Sequence, residues 1–249
     1  MDGYFELALE SAESAGTGIV IGERRLSPRL RCLSFVAETS FGEESRGKGR
    51  YHTLITEENP AEDPDLEKEI AEGVCRLVKA LDRKRKGKIL AVGLGNPSAV
   101  VDALGCETIK RLTTGKTRRG YLATITPSVF GLTGLETASV VKGVVREFAP
   151  DMVLCVDTLA TRRAERLFKA VQISDGGIIP GGGVGNRRIP LSEETLGCPV
   201  LSVGVPLLAH AERCSSLPDH LIVTPKEIDL LVPAFARALS EGLSEALSE

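Results

Sequence analysis

The chain has 249 residues and 42% hydrophobic content, enough for one α/β domain with a large core, yet with 4% aromatics and no Trp that core must be Leu, Val, Ile and Ala. A formal net charge of −3 is not that of a dedicated nucleic-acid binder, whose domain is usually clearly basic. No run of 18 apolar residues occurs and the first residues lack a basic start and an apolar stretch, so neither a membrane span nor a secretion signal is expected, and the six cysteines, none spaced as CxxC, read as thiols of a reducing compartment.

In chain order, residues 6–15 are helix-competent. Three β-like runs follow at 18–22, 31–36 and 51–56, with a Gly/Glu/Arg-rich stretch at 41–50 that reads as a mobile hairpin tip. This region, 18–57, is expected to be a small antiparallel layer at the edge of a main sheet, an appendage to a core over 88–249. After an acidic, Pro-containing break at 59–65, residues 66–81 form a helix, with Leu66, Ile70, Val74, Leu77 and Val78 on one face. Its basic end, Asp82-Arg-Lys-Arg-Lys86, complements the helix dipole and reads as a solvated terminus rather than a localisation signal.

From residue 88 onward strand and helix patterns alternate. Strands are expected at 88–94, 121–126, 151–156, 169–174 and 199–205, with a helix over 134–148 carrying Leu135, Ala138, Val141, Val144, Val145 and Phe148 at helical spacing. A closing helix over 226–247 is announced by Thr224-Pro225. The alternation implies an α/β fold: a three-layer sandwich with a mostly parallel sheet and helices on both faces.

Two aspartates stand out on this frame. Asp102 follows the apolar run Ile89-Leu-Ala-Val-Gly-Leu94 by a short loop, and Asp157 ends the run Met152-Val-Leu-Cys-Val156 directly. If strands 88–94, 121–126 and 151–156 take the common 2-1-3 order, the first and third are neighbours and the two carboxylates meet at the switch point, where ligands bind in α/β sheets. Two carboxyls a few ångströms apart cannot both ionise easily, so the pair holds one proton. The ionised member can deprotonate a water while the protonated member hydrogen-bonds a scissile carbonyl. Spacing alone favours a plainer role, with Asp102 capping the following helix and Asp157 capping a turn.

Asn96, after the Gly93-x-Gly95 turn, is placed to orient water or substrate, and equally to close an Asx-turn. The segment 173–188 holds six glycines in sixteen residues, which permits close approach of backbone to a ligand. Asn186, Arg187 and Arg188 at its end could grip a backbone or an acidic side chain. A phosphate cradle is the competing reading, weakened because no Gly-Lys-Ser/Thr follows. His52, His210 and His220 have no partner at metal-ligand spacing. His210 lies just past the last strand, where it could complete a metal site with the carboxylates. There is no Gly-x-Ser-x-Gly elbow, which lowers a serine-hydrolase reading.

From Ile89 to Ala209 the chain resembles the germination protease family of spore-forming bacteria. The resemblance rests on Val92-Gly-Leu-Gly-Asn96, Asp102-Ala-Leu-Gly105, Thr126-Pro-Ser-Val-Phe-Gly-Leu-Thr-Gly-Leu-Glu-Thr137, Val140-Val-Lys-Gly143 and Asp157-Thr-Leu-Ala160. It continues through Gln172-Ile-Ser-Asp175, Gly183-Val-Gly-Asn186, Leu191-Ser-Glu-Glu-Thr-Leu-Gly197, Val203-Gly-Val-Pro206 and Val223-Thr-Pro-Lys-Glu-Ile-Asp229. It implies an endopeptidase that degrades small acid-soluble spore proteins during germination, with Asp102 and Asp157 essential, no cofactor, and Asn96, Asp175, Gly183, Asn186 and Arg187 as substrate-binding candidates. It also implies a homotetramer made as a self-processing zymogen, located in the cytoplasm of the forespore and spore core, with no direct nucleic-acid or membrane partner. The fold it implies is that of the hydrogenase-maturation endopeptidases, whose acidic positions contact a metal.

The chain departs from the pattern in three places. Tyr4-Phe-Glu-Leu-Ala8 stands for an Arg-Thr-Asp-Leu-Ala-like start with almost nothing before it, so a cleavable propeptide is expected to be absent or vestigial. About twenty residues join Gly-Val-Pro to Thr-Pro-Lys-Glu-Ile-Asp where the family has more. Thr158 stands where the family tends to have Ala. Two further readings stay open: a non-catalytic sporulation-related binding protein on the same fold, and a metal-dependent processing endopeptidase using Asp102, Asp157 and His210. Peptidyl-tRNA hydrolases share a Val-Gly-Leu-Gly-Asn-Pro segment, but the rest of their pattern does not follow.

Overall fold

In a computed structural model, residues 7–13, 18–42, 46–84, 86–181, 188–210 and 221–248 are described. Ten strands form one mixed sheet: β1 (Gly22–Arg25), β2 (Arg31–Ala37), β3 (Gly49–Ile55), β4 (Gly87–Gly93), β5 (Gly115–Thr117), β6 (Gly120–Ile125), β7 (Met152–Thr161), β8 (Ala170–Ser174), β9 (Val200–His210) and β10 (Ile222–Val223). Their spatial order is β1-β2-β3-β8-β9-β7-β4-β6-β5, with β10 added to the end of β9. The centre, β9-β7-β4-β6, is parallel. The flanks are antiparallel. The order β6-β4-β7 is the expected 2-1-3 arrangement. The β-rich N-terminal region is continuous with the main sheet, because β3 pairs with β8 from Tyr51↔Ser174 to Ile55↔Ala170.

The central strands are apolar on both sides because both faces are covered. Ile89, Ala91, Met152, Leu154 and Val156 face one core, packed under α2 (Pro64–Leu81), α3 (Leu104–Ile109) and α7 (Ile228–Ser248). Leu90, Val92, Val153 and Cys155 face the other, under α5 (Thr137–Phe148). A third cluster seats α1 (Ala8–Glu13) on Phe35, Tyr51, Ile55 and Leu159. Two single-turn helices, α4 (Phe130–Thr133) and α6 (Glu193–Leu196), complete the set. The chain leaves β4 through α3 on one face to reach β6, then returns through α5 on the other face to reach β7. The carboxyl end of β4 is therefore the switch point.

The helix over 66–81 begins two residues earlier, at Pro64, because Asp63 caps it, its carboxylate accepting from the Asp65 and Leu66 amides. The helix expected over 134–148 starts at Thr137, leaving Leu135 59% exposed. The run at 18–22 becomes strand only at its last residue. The strand expected to stop at Val156 runs on to Thr161 and is buried throughout.

Candidate active site

Asp157 is therefore inside β7 rather than at its end, a correction with a simple cause. Beside β7, β4 stops at Gly93, paired with Val156, and the Leu94 amide makes the last link to the Val156 carbonyl. On its other side β7 continues beside β9, with Asp157 opposite Gly204. Asp157 is thus the first residue of β7 beyond the end of β4. By strand alternation it shares a side with Val153, Cys155 and Leu159, between the core under α5 and the core under α1. It is 3% exposed, and its Oδ1 accepts from the Thr158 amide at 2.9 Å.

Asp102 closes a 3-10 turn, Val100–Asp102, in the loop between β4 and α3. Its Oδ2 accepts from the Asn96 amide at 2.8 Å. Burial pushes its carboxyl up to about 6, against the opposing pull of that amide. The leading cause is thus desolvation, whereas the sequence had pointed to repulsion between paired carboxylates.

The glycines of this loop are explained by close packing. A Cβ on Gly95, which has φ +99°, would lie 2.0 Å from the Asp102 carbonyl oxygen, and one on Gly105 would lie 2.2 Å from that of Val156. Only bare backbone lets α3 start against the end of β4 and the middle of β7. Below the turn, the Cys106 sulfur sits 3.8 Å from the carbonyl oxygens of Gly93, Leu94 and Gly95. Burial raises its thiol to about 11, and both Asp102 and Asp157 act on it through space.

The two aspartates line one cleft of about 630 Å³. Its walls include Leu94, Gly95, Asn96 and Val101 on one side, and Ser128, Val129, Phe130, Pro180, Gly181 and Arg188 on the other. Ser128 holds φ +64°, an uncommon conformation for a side-chain-bearing residue and one that collects at functional sites. Arg188 pairs with Glu136 at 2.9 Å and lies 5.0 Å above the Phe130 ring. A larger hollow of about 770 Å³ lies on β2 and β3, remote from the carboxylates and lined by Phe35, Val36, Arg50 and His52.

Asn96 lines the cleft, but its side-chain oxygen accepts from the Ser98 amide at 2.9 Å, the Asx-turn alternative, while its own amide serves Asp102. Asp175 is elsewhere. Because β8 runs antiparallel to β9, Asp175 emerges at the opposite edge of the sheet, near Leu81 and Pro199. There it is bound by the Arg50 amide, the Arg50 guanidinium and Arg83. Gly183, Asn186 and Arg187 lie outside the described residues, as does the side chain of His210. Among the described residues no group of three His, Cys, Asp or Glu is placed to hold a metal ion, and no helix is long and apolar enough to cross a membrane. Arg188, expected to grip a backbone or an acidic side chain, does line the cleft and holds Glu136. Sequence reading missed Thr158 and Ser128 as cleft walls, since nothing in their local pattern says which edge of the sheet they reach.

The family description "germination protease" matches residues 8–216. A germination protease of Caldanaerobacter subterraneus subsp. tengcongensis is 33% identical, over 83% of this chain and 81% of its own. Those of a Geobacillus species and of Priestia megaterium are each 35% identical, over 90% and 84% of this chain. The match spans only 62% and 59% of those two longer relatives. Among solved structures, a NiFe hydrogenase maturation protease from Thermococcus kodakarensis KOD1 is 22% identical with a TM-score of 0.43, over 70% of this chain and 99% of that one.

Proposed function

The chain belongs to the germination protease family, and we propose that it is itself an endopeptidase that hydrolyses small acid-soluble spore proteins, with Asp102 and Asp157 as its catalytic carboxyls. The observation that carries this reading is a single cleft walled by both aspartates, one of them held near pH 6 by burial. A carboxyl at about 6 exchanges its proton close to neutral pH, where general acid–base catalysis is most effective. The pair carries one proton. The ionised carboxylate takes a proton from a water, whose oxygen attacks the scissile carbonyl carbon, while the protonated carboxyl donates to the carbonyl oxygen. Collapse of the tetrahedral intermediate breaks the C–N bond: the departing amine receives the proton abstracted from water, and one diol hydroxyl returns its proton to the carboxylate that had donated, restoring the pair. Asp102, whose carboxyl burial holds at about 6, is the member placed to carry the pair's proton.

The rest of the cleft supports an extended substrate. Val129, Phe130 and Leu208 offer apolar contact, and Arg188, held by Glu136, adds a cation at the wall. A chain with little structure of its own can lie along such an opening without being unfolded first. The location that goes with this substrate is the forespore and spore core, and the assembly a homo-oligomer.

Incubation with a purified small acid-soluble spore protein at pH 5–8, read by mass spectrometry of the fragments, tests the reading. Internal cleavage that persists in chelator is expected. Correctly folded chain that leaves the substrate intact throughout would sink the proposal and favour a binding protein on this fold. Cleavage only with added nickel or zinc would instead favour the metal-dependent reading.

A further inference from the structure

We propose that Thr158 is a positioning residue of the carboxyl pair, its hydroxyl tying the turn that carries Asp102 to the strand that carries Asp157. This rests on the carboxyl-pair reading and adds how the two carboxylates are kept in register. Asp157 sits in a strand, held by its pairing with β9 at Gly204. Asp102 does not: it ends a three-residue turn outside the sheet, beside Val100, which is half exposed. The Asp102 amide donates to Ala99 and its carboxylate accepts from Asn96, so both contacts lie within the same loop. They shape the loop without fixing it to β7.

The Thr158 hydroxyl makes that link. It donates to the Val101 carbonyl oxygen at 3.0 Å. Leu94 and Gly105 hold the two ends of the loop against Val156, and because Val101 immediately precedes Asp102 and Thr158 immediately follows Asp157, this hydrogen bond joins the two segments next to the carboxylates themselves. Thr158 is 4% exposed, which keeps water from competing for the bond, and its β-branch restricts χ1. The Thr158 amide meanwhile donates to Asp157 Oδ1 at 2.9 Å. The same residue therefore orients one carboxylate through its amide and places the carrier of the other through its side chain.

Thr158→Val keeps the shape and removes the donor, and Thr158→Ser restores a hydroxyl; Thr158→Ala replaces the Val variant should that fail to fold. Two readouts are taken on protein with wild-type circular dichroism: the titration of the Asp102 carboxyl carbon by NMR, and kcat and KM for spore-protein cleavage. In the Val variant the loosened turn is expected to admit water, so Asp102 titrates below its present value of about 6, toward the ordinary carboxylate range. Its kcat is expected to fall at least about tenfold with KM nearly unchanged, and the Ser variant to recover both. Unchanged Asp102 titration and unchanged kcat in a folded Val variant would overturn the proposal. If the wild type cleaves nothing, the peptidase reading fails, yet the NMR titration still decides whether Thr158 positions Asp102.

Discussion

Burial gives Asp102 a stability signature that can be measured apart from catalysis. An aspartyl carboxyl ordinarily titrates near 3.8, and here near 6. Between those values the folded chain holds a proton that the unfolded chain has released, so stability falls as pH rises from about 4 through about 6. Asn mimics the neutral carboxyl and can still accept from the Asn96 amide. Asp102→Asn is therefore expected to leave stability nearly unchanged at pH 4 and to raise it at pH 8 by about 1–3 kcal/mol. Urea unfolding at the two pH values checks this; a loss at pH 8 would mean that the ionised carboxylate is well solvated. At this scale the sequence was informative about which groups matter and poor about their partners. Both aspartates were visible from their strand-end contexts. The Asx-turn of Asn96 and the Arg50–Asp175–Arg83 cluster were not separable from ligand binding, because residue type shows that a carboxylate is useful and not what already occupies it.

Between elements, the principal buried ion pair joins Asp82, at the end of α2, to Arg119, just before β6, and Arg119 also donates to the Ala246 carbonyl near the end of α7. Both side chains are at most 5% exposed. The run Asp82-Arg-Lys-Arg-Lys86 looked like a solvated helix terminus, yet its first residue is a buried clasp for three elements. Charge composition alone gave no sign of this, since Arg119 lies 37 positions away. Arg119→Met leaves the Asp82 carboxylate buried without its cation and is expected to cost about 3–5 kcal/mol, whereas pairing it with Asp82→Leu should recover much of that loss. Thermal unfolding of the single and double variants decides, and a single variant within about 0.5 kcal/mol of wild type would mean that water reaches the site. The β6-β4-β7 order was readable because helical segments between apolar runs force parallel crossovers. The direction of β8 was not, since a strand pattern carries no sign, and that direction is what sends Asp175 to the far edge. The extension of β7 was missed for a related reason: Asp157 and Thr158 look like a strand end until β9 is there to pair with them.

At the scale of the whole molecule, the fold turns a one-dimensional coincidence into a site. A parallel block of four strands, with α3 on one face and α5 on the other, opens a crevice where β4 stops and β7 continues. The antiparallel flank of β1, β2, β3 and β8 widens the sheet and seats α1, whose cluster reaches Leu159, two residues beyond Asp157. The α/β class and the parallel centre could be read from the alternation of apolar runs, and the family from the ordered motifs. The continuity of the N-terminal strands with the main sheet depended on β3 meeting β8, a pairing of residues more than a hundred positions apart. The central claim is that the two carboxyls work as one unit. Its most direct test is kcat/KM for spore-protein cleavage by wild type, Asp102→Asn, Asp157→Asn and the double variant, each folded by circular dichroism. Each single substitution is expected to lower kcat/KM at least about 10³-fold, with the double variant little worse, as for groups that act together. A single variant retaining activity within about tenfold of wild type would contradict the account and move the chemistry to another group in the cleft.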